Sequence, residues 1–286
     1  MEIDSELDSG TGQQLAARVR AQLSDLRGAE ARVAQVVLEQ GPELVHLSVS
    51  DVAALAGTAA STVVRACQRL GFRGFQELKI AAVRQAPRPA PSAEPDPAAR
   101  ALADTLRASR EALDGITATV TPARLTTAAQ LLHRASRLLI IGVGLSAPVV
   151  LDAGFRLRAL GCAVDAPPDP ITAHLAAGML TPDAVCLAVS HSGATRSTVD
   201  AAREARRNGA SVIALTSYAP SLLSESSDCT LVAGGQDLVL GLEAVASRLA
   251  HLAVLDALVL TLLAVRGADA RRALAVSEDV TASHLY

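Results

Sequence analysis

The run Ala184-Val185-Cys186-Leu187-Ala188-Val189-Ser190-His191-Ser192-Gly193-Ala194-Thr195, followed by a helical pattern from Arg196 to Asn208, decides how the rest of the chain is read. The apolar half has the composition of a parallel strand buried on both faces. The hydroxyl-rich half is a short turn that opens directly into a helix. Such a junction aims free backbone N–H groups and the positive end of the helix dipole at one place. An anion, phosphate above all, is held there. Ser190, Ser192 and Thr195 add hydroxyl donors, and Gly193 lets backbone and ligand approach closely. Capping the helix would need one hydroxyl; this turn carries three.

Outward from that turn, strands and helices alternate. The expected strands are Leu138–Val143, Cys162–Ala166, Ala184–Ser190, Ser211–Ser217 and Cys229–Val232. Helices are expected at Ala147–Leu160, Ile171–Met179, Arg196–Asn208, Pro220–Ser226 and Gly241–Val265. This rhythm predicts an α/β unit with a five-stranded parallel sheet flanked by helices. Ligands of such sheets bind outside the carboxyl ends of the strands. A second hydroxyl-bearing loop, Gly142-Val143-Gly144-Leu145-Ser146, sits at such an end. It is a poor dinucleotide fingerprint: position 147 is Ala where the later glycine belongs, and no acid ends the second strand, although Asp165 is nearby.

The chain before the sheet reads differently. Residues 1 to 12 are acidic, the opposite of a signal peptide, and are expected to be disordered. Helices are expected at Gln13–Leu26 and Ala29–Glu39, ended by Gly41-Pro42. Ser50 is placed to cap a helix from Asp51 to Ala56, Gly57 stops it, and a second helix runs from Ser61 to Leu70. Two short helices joined by a tight Gly turn have the helix-turn-helix layout, with Val52, Leu55, Val63 and Leu70 as the shared core. Thr62, Arg65 and Arg69 are left for the outer face, with Arg73, Lys79 and Arg84 beyond. Basic faces are common, so charge alone does not separate a DNA-reading helix from a solvated one. Pro87, Pro89, Pro91, Pro95 and Pro97 mark an extended linker over 85–100. The expected division is 13–84, linker 85–100, and 101–286. A helix from Ala98 to Ile116 then carries Leu102, Leu106, Leu113 and Ile116 on one side, and Thr121-Pro122 opens another to Ala135.

Composition bounds what the molecule can do. The 286 residues are 50% hydrophobic and 2% aromatic with no Trp, so the core must be aliphatic. A net charge of −3 gives no support for nucleic-acid binding by the molecule as a whole, so any such binding must be local. The four cysteines form no C-x-x-C and no zinc-like grouping with histidine. They read as free thiols in a reducing cytoplasm, with no metal and no cofactor expected. Leu252–Val265 is apolar but short for a bilayer and carries Asp256. It is expected to be a buried helix or part of an oligomer interface, with no membrane as partner.

Together these stretches resemble the RpiR family of bacterial transcription regulators. The residues that carry the resemblance are Arg32-Val33-Ala34, Asp51 to Gly57, Thr62-Val63-Val64-Arg65, Leu70-Gly71-Phe72-Arg73-Gly74-Phe75, Ile141 to Ser146, Ser190 to Thr195, Asn208-Gly209-Ala210, Ser247-Arg248 and Leu255 to Leu258. The resemblance implies an all-α helix-turn-helix domain joined to a C-terminal SIS (sugar isomerase) domain that binds phosphosugars. It places Ser146, Ser190, Ser192 and Thr195, beside Gly193, on the ligand. It places Thr62 and Arg65 on the recognition helix, flanked by Ser61, Arg69 and Arg73. The implied partners are a double-stranded DNA operator, a phosphosugar effector and further copies of the chain in a homodimer or homotetramer. Three positions depart from the pattern. Ala59 stands where a serine is usual, so a cap or phosphate contact is lost unless Thr58 or Ser61 replaces it. Ala194 stands where the SIS loop commonly has an acid. The linker is unusually Pro-rich.

The competing class is an aldose–ketose isomerase, which needs a base shuttling a proton between adjacent carbons. His191, His174 and Glu243 are the candidates near the turn, and they form no arranged pair. No catalytic residue is therefore expected.

Overall fold

The computed structural model describes residues 11–83, 92–234 and 245–284. The chain forms two compact units, one up to Ala90 and the other from Pro91.

The first unit is helical: α1 (Thr11–Gln22), α2 (Ala29–Gln40), α3 (Val49–Leu55), α4 (Ala60–Arg69) and α5 (Phe75–Val83). Of the stretch expected to be disordered, residues 1–10 lie outside the described residues, while Thr11 already begins α1. Leu15, Val19, Val33, Val37, Val52, Val63, Leu70, Phe75 and Leu78 fill one core. The Arg32 guanidinium clamps the turn between α3 and α4. Its Nε donates to the Ala56 carbonyl at 2.8 Å and its Nη2 to the Gly57 carbonyl at 3.1 Å, satisfying acceptors at the helix end.

Three details depart from expectation here. Ser48, not Ser50, caps α3: its Oγ accepts the Asp51 N–H and Asp51 accepts the Ser48 N–H, a reciprocal capping box. Leu55 is 55% exposed and belongs to no core. Lys79 is buried rather than on a basic face: its Nζ donates to the Leu47 carbonyl at 2.9 Å and lies 5.9 Å from the Phe75 ring centre. Arg84 lies outside the described residues.

The second unit begins with α6 (Pro97–Asp114), capped by Asp96, then α7 (Ile116–Thr119) and α8 (Pro122–Arg134), capped by Thr121. The linker expected over 85–100 thus gives way to helix at Pro97; its part from 85 to 91 lies outside the described residues. Next come β1 (Leu138–Ile141), α9 (Ala147–Ala159), β2 (Val164–Asp165), α10 (Pro170–Gly178), β3 (Val185–Ser190), α11 (Arg196–Arg207), β4 (Ser211–Thr216), β5 (Cys229–Val232), α12 (Val245–Arg266) and α13 (Ala268–Ser283). The expected helix over Pro220–Ser226 shrinks to a single 3-10 turn, Ser224–Ser226. The beginning of the expected Gly241–Val265 helix, residues 241–244, lies outside the described residues. The α13 helix was not anticipated.

The sheet is parallel, in the order β2-β1-β3-β4-β5. Alternate strand residues serve two aliphatic layers. Leu138, Ile140, Leu187, Val189 and Ile213 pack with α8, α9 and α12. Leu139, Ile141, Cys186, Ala188 and Val212 pack with α10 and α11. Because β1 sits between β2 and β3, the chain reverses direction across the sheet there, and in open parallel sheets the crevice beyond the carboxyl ends of the strands at such a reversal, here β1 and β3, is where ligands bind. On α6, the expected apolar side faces outward. Leu102 and Leu106 are exposed, and Ala108, Ser109 and Ala112 are the residues buried. Asp165 ends β2, but it is engaged by Arg137 at 2.7 Å. The α12 helix is long and apolar enough to cross a membrane by length and composition. Here its Val254, Leu255, Leu258 and Leu262 are buried in the core beside the sheet.

Candidate functional site

The crevice at the carboxyl ends of β1 and β3 gathers the sequence-predicted ligand residues. Close approach of the two loops depends on Gly142: a Cβ there would fall 2.8 Å from the Val189 carbonyl oxygen and 3.3 Å from the Ser146 Cβ. Ser146 is buried at the start of α9, and its side chain makes no capping bond to that helix.

The β3–α11 turn supplies the rest. Its Gly193 has φ +62° and donates its N–H to the Ser190 carbonyl at 3.1 Å. A Cβ at Gly193 would lie 2.2 Å from Ser221 Oγ and 2.9 Å from Thr216 Oγ1. Space and backbone conformation therefore both demand glycine. Thr195 occupies the N-cap position of α11 without capping it; its Oγ1 meets Ser190 Oγ at 3.1 Å. Ser192 Oγ accepts the Ala194 N–H at 3.2 Å. The first turn of α11 contains no acid. The helix thus begins without a side-chain cap or carboxylate to offset its dipole, facing a cluster of hydroxyls. That is chemistry suited to a phosphate-sized anion.

A further set of hydroxyls follows β4 and was not singled out from the sequence. Thr216 Oγ1 donates to the His191 carbonyl at 3.3 Å, and the Ser217 N–H donates to the same oxygen at 3.0 Å. The Ser217 hydroxyl lies 2.9 Å from His191 Nδ1 and 3.1 Å from His251 Nε2. His251 is buried on α12, and burial lowers its pKa to about 4, so it is neutral at physiological pH. The signal for this set was available: Thr216-Ser217 ends a strand beside β3, just as Ser190 does. Of the other expected titratable groups, His174 is exposed on α10, and Glu243 lies outside the described residues.

In the first unit, Ser61, Arg65 and Arg69 form one exposed line along α4 at helical spacing, with Thr62 half-buried beside it. Arg69 is paired with Glu30 at 3.3 Å. Arg73, just beyond α4, is 93% exposed in its side chain and 3.4 Å from Glu77. The Arg73 N–H, which donates to the Glu77 carboxylate, holds that carboxyl below its ordinary pKa, helped by the side-chain pairing. Ala59 is the N-cap residue of α4, and no side chain caps that helix, neither Thr58 nor Ser61 taking the role.

The comparisons agree with this layout. The model of a helix-turn-helix domain of the rpiR family matches residues 13–86, and that of a SIS domain matches residues 131–261. The HTH-type transcriptional regulator HexR of Pseudomonas aeruginosa is 30% identical over 262 residues, covering 88% of this chain and 90% of its own. The chain belongs to the RpiR family of transcriptional regulators. Among other relatives, an uncharacterised HTH-type transcriptional regulator of Caldanaerobacter subterraneus is 29% identical over 84% of this chain and 87% of its own. Among solved structures, the Vibrio vulnificus NanR protein complexed with ManNAc-6P superimposes with a TM-score of 0.78 at 24% identity, over 96% of this chain and all of that one. The sugar isomerase domain of an RpiR transcription factor from Sphaerobacter thermophilus gives 0.56 at 22% identity, over 62% of this chain and 98% of that one. These likenesses fix the fold, a helix-turn-helix unit and a SIS domain with a five-stranded parallel sheet.

Proposed function

We propose that this RpiR-family regulator binds a double-stranded operator through α4 and senses a phosphorylated sugar or sugar acid in the β1–β3 crevice. The observation that carries the reading is the β3–α11 turn: hydroxyls of Ser190, Ser192 and Thr195 stand before a helix N-terminus that nothing else caps. Ser146, from the neighbouring loop, completes the phosphate cradle, and Gly193 lets the ligand close on the backbone. NanR, which shares the fold, was solved with a sugar phosphate, ManNAc-6P, which supports the same ligand class here.

Ser61, Thr62, Arg65, Arg69 and Arg73 are assigned to the operator. An Arg side chain reads guanine bidentately or holds a phosphate. Effector binding then shifts the population of the DNA-competent state. The protein acts in the cytoplasm as a homodimer or homotetramer, matching the two-fold symmetry of a palindromic operator. It needs no cofactor or metal and is not an enzyme. Of the three bases an isomerase reading would use, His191 is tied to Ser217 and His174 lies exposed on α10.

The testing experiment is calorimetric titration of hexose 6-phosphates into wild type and Ser192→Ala. Loss of a hydrogen bond to a charged group should weaken binding by ~1.5–3 kcal/mol, roughly ten- to a hundredfold. Equal affinity in the two proteins removes Ser192 from the site. Turnover of a sugar phosphate by the full chain would revive the isomerase class.

A further inference from the structure

The apolar stripe of α6 is on the wrong side for the fold of a single copy. Leu102, Leu106, Ser109 and Leu113 follow one another at steps of four, three and four residues. That is the narrow seam of a helix that pairs with another helix. Within the chain, α6 packs through Ala108 and Ala112 instead, and Leu102, Leu106 and Leu113 stay 62%, 43% and 40% exposed. Ser109 is the polar member of the seam, and its hydroxyl donates to the Thr105 carbonyl at 2.7 Å. So satisfied, it makes no demand on whatever covers the leucines.

The α12 helix, against which α6 packs, shows the same excess. It is apolar all round, as befits a helix enclosed on every side. Yet only 33% of its apolar window is buried inside the chain. Leu249 and Leu260 are 42% and 65% exposed, and their three-turn spacing puts them on one face. At ~200 Å² for a free leucine, the five leucines leave on the order of 500 Å² of apolar surface open, which matches the ~65% apolar share of the ~800 Å² that each partner of a stable dimer buries.

Charge separates the kinds of surface that could cover them. A helix that lies on a membrane carries an excess of cations on its polar face. On α6, Arg100, Arg107 and Arg110 are matched by Asp104, Glu111 and Asp114, so the helix is neutral. Arg107 is itself paired with Asp104 at 3.0 Å and Glu111 at 3.6 Å. A neutral seam of regular step is complementary to itself, and a two-fold axis sets one patch against its own copy.

We propose that Leu102, Leu106 and Leu113 of α6, with Leu249 and Leu260 of α12, form the surface on which a second copy of this chain docks, α6 against α6 about a two-fold axis. The proposal rests on the oligomer in the functional reading above and names its surface. In the chain, α6 is the first helix after the linker that follows the helix-turn-helix unit. Closure on α6 therefore tethers two operator-reading units to one interface, as a palindromic operator requires.

The test uses the full-length protein in analytical ultracentrifugation. The wild type should sediment as a dimer or larger. Leu102→Glu combined with Leu106→Glu should remove one step of association, dimer to monomer or tetramer to dimer. The contact should weaken at least about a hundredfold, because two carboxylates would be buried against leucines. Both positions are exposed in the single copy, so the far-ultraviolet circular dichroism spectrum should be unchanged. A second readout does not depend on breaking anything. Leu102→Cys, Leu106→Cys and Leu113→Cys, treated with a short bismaleimide, should include positions that cross-link two copies above the wild-type background, whereas Val276→Cys on α13 should not. An oligomer unaffected by the two glutamates, or an absence of cross-links from all three α6 positions, overturns the proposal and leaves the oligomer itself standing. A wild type that stays monomeric overturns both, and its flotation with phosphatidylglycerol vesicles would assign the leucines to a membrane instead.

Discussion

At position 193 a methyl group would collide with the Ser221 hydroxyl, and the positive φ would strain any side chain. Gly193→Ala should therefore distort the turn and destabilise the SIS unit by ~1–3 kcal/mol, while also abolishing inorganic phosphate binding. Thermal melting with a phosphate titration checks both effects. An unaltered melting point with full affinity would mean that the turn is laxer than its geometry. His251 makes a pH-dependent contribution. Its ordinary value is 6.5, and burial holds it at about 4 in the fold. Between those values the unfolded chain binds the proton and the folded chain does not. The contribution is thus complete above pH 6.5 and is lost as pH falls toward 4, on the order of 3 kcal/mol at the lower end. Urea denaturation at pH 7 and pH 4.5 should show the loss, and His251→Phe should flatten it. Single residues were also where sequence reading failed most plainly. Nothing in the pattern distinguishes Lys79 from Arg73, yet one is buried against the Leu47 carbonyl and the other is 93% exposed in its side chain. The β3–α11 junction was legible because strand, hydroxyls and helix follow one another in the chain. The β4 hydroxyls carried the same signal at the end of an apolar run, whereas His251 did not, because its proximity to Ser217 arises only when α12 folds against the sheet.

At the scale of elements, the two helices of the helix-turn-helix are started differently. The α3 helix has a reciprocal Ser48–Asp51 cap, whereas α4 starts at Ala59 with none. Ala59→Ser should stabilise the first unit by about 1 kcal/mol, and Ser48→Ala should cost about as much. Melting curves check both, and no gain from Ala59→Ser would show that the vacant N–H groups of α4 are already satisfied. On the exposed face of the same helix, Arg65→Ala should lower operator affinity by ~1–3 kcal/mol if it reads a base, or reduce the salt slope by about one if it holds a phosphate. Unchanged binding at every salt concentration would remove Arg65 from the interface. Element identity was readable wherever the pattern was continuous. All five strands lie within their expected spans, because an uninterrupted apolar run excludes a solvated helix face. The direction in which an apolar stripe faces was less readable. On α6 the leucines point outward and the small residues inward, since alanines let α6 approach α12 closely. The α13 helix has too weak an apolar period to announce itself, and Ala270 is its buried residue.

For the whole molecule, the order β2-β1-β3-β4-β5 puts the topological reversal between β1 and β3, so the two hydroxyl loops chosen from sequence become neighbours. Sequence could supply both loops and the parallel class but not that order, which depends on long-range pairing. The same topology joins the β3–α11 turn to the packing of α12 through Ser217 and His251. The central claim is that a phosphorylated sugar controls operator binding by this protein. The most direct measurement is fluorescence anisotropy on the DNA upstream of its own gene and neighbouring genes, at fixed salt, with a panel of sugar phosphates and their unphosphorylated sugars. Specific binding that one sugar phosphate changes at least tenfold, and that its unphosphorylated sugar leaves alone, is the predicted result. Specific binding that no sugar phosphate alters would contradict it.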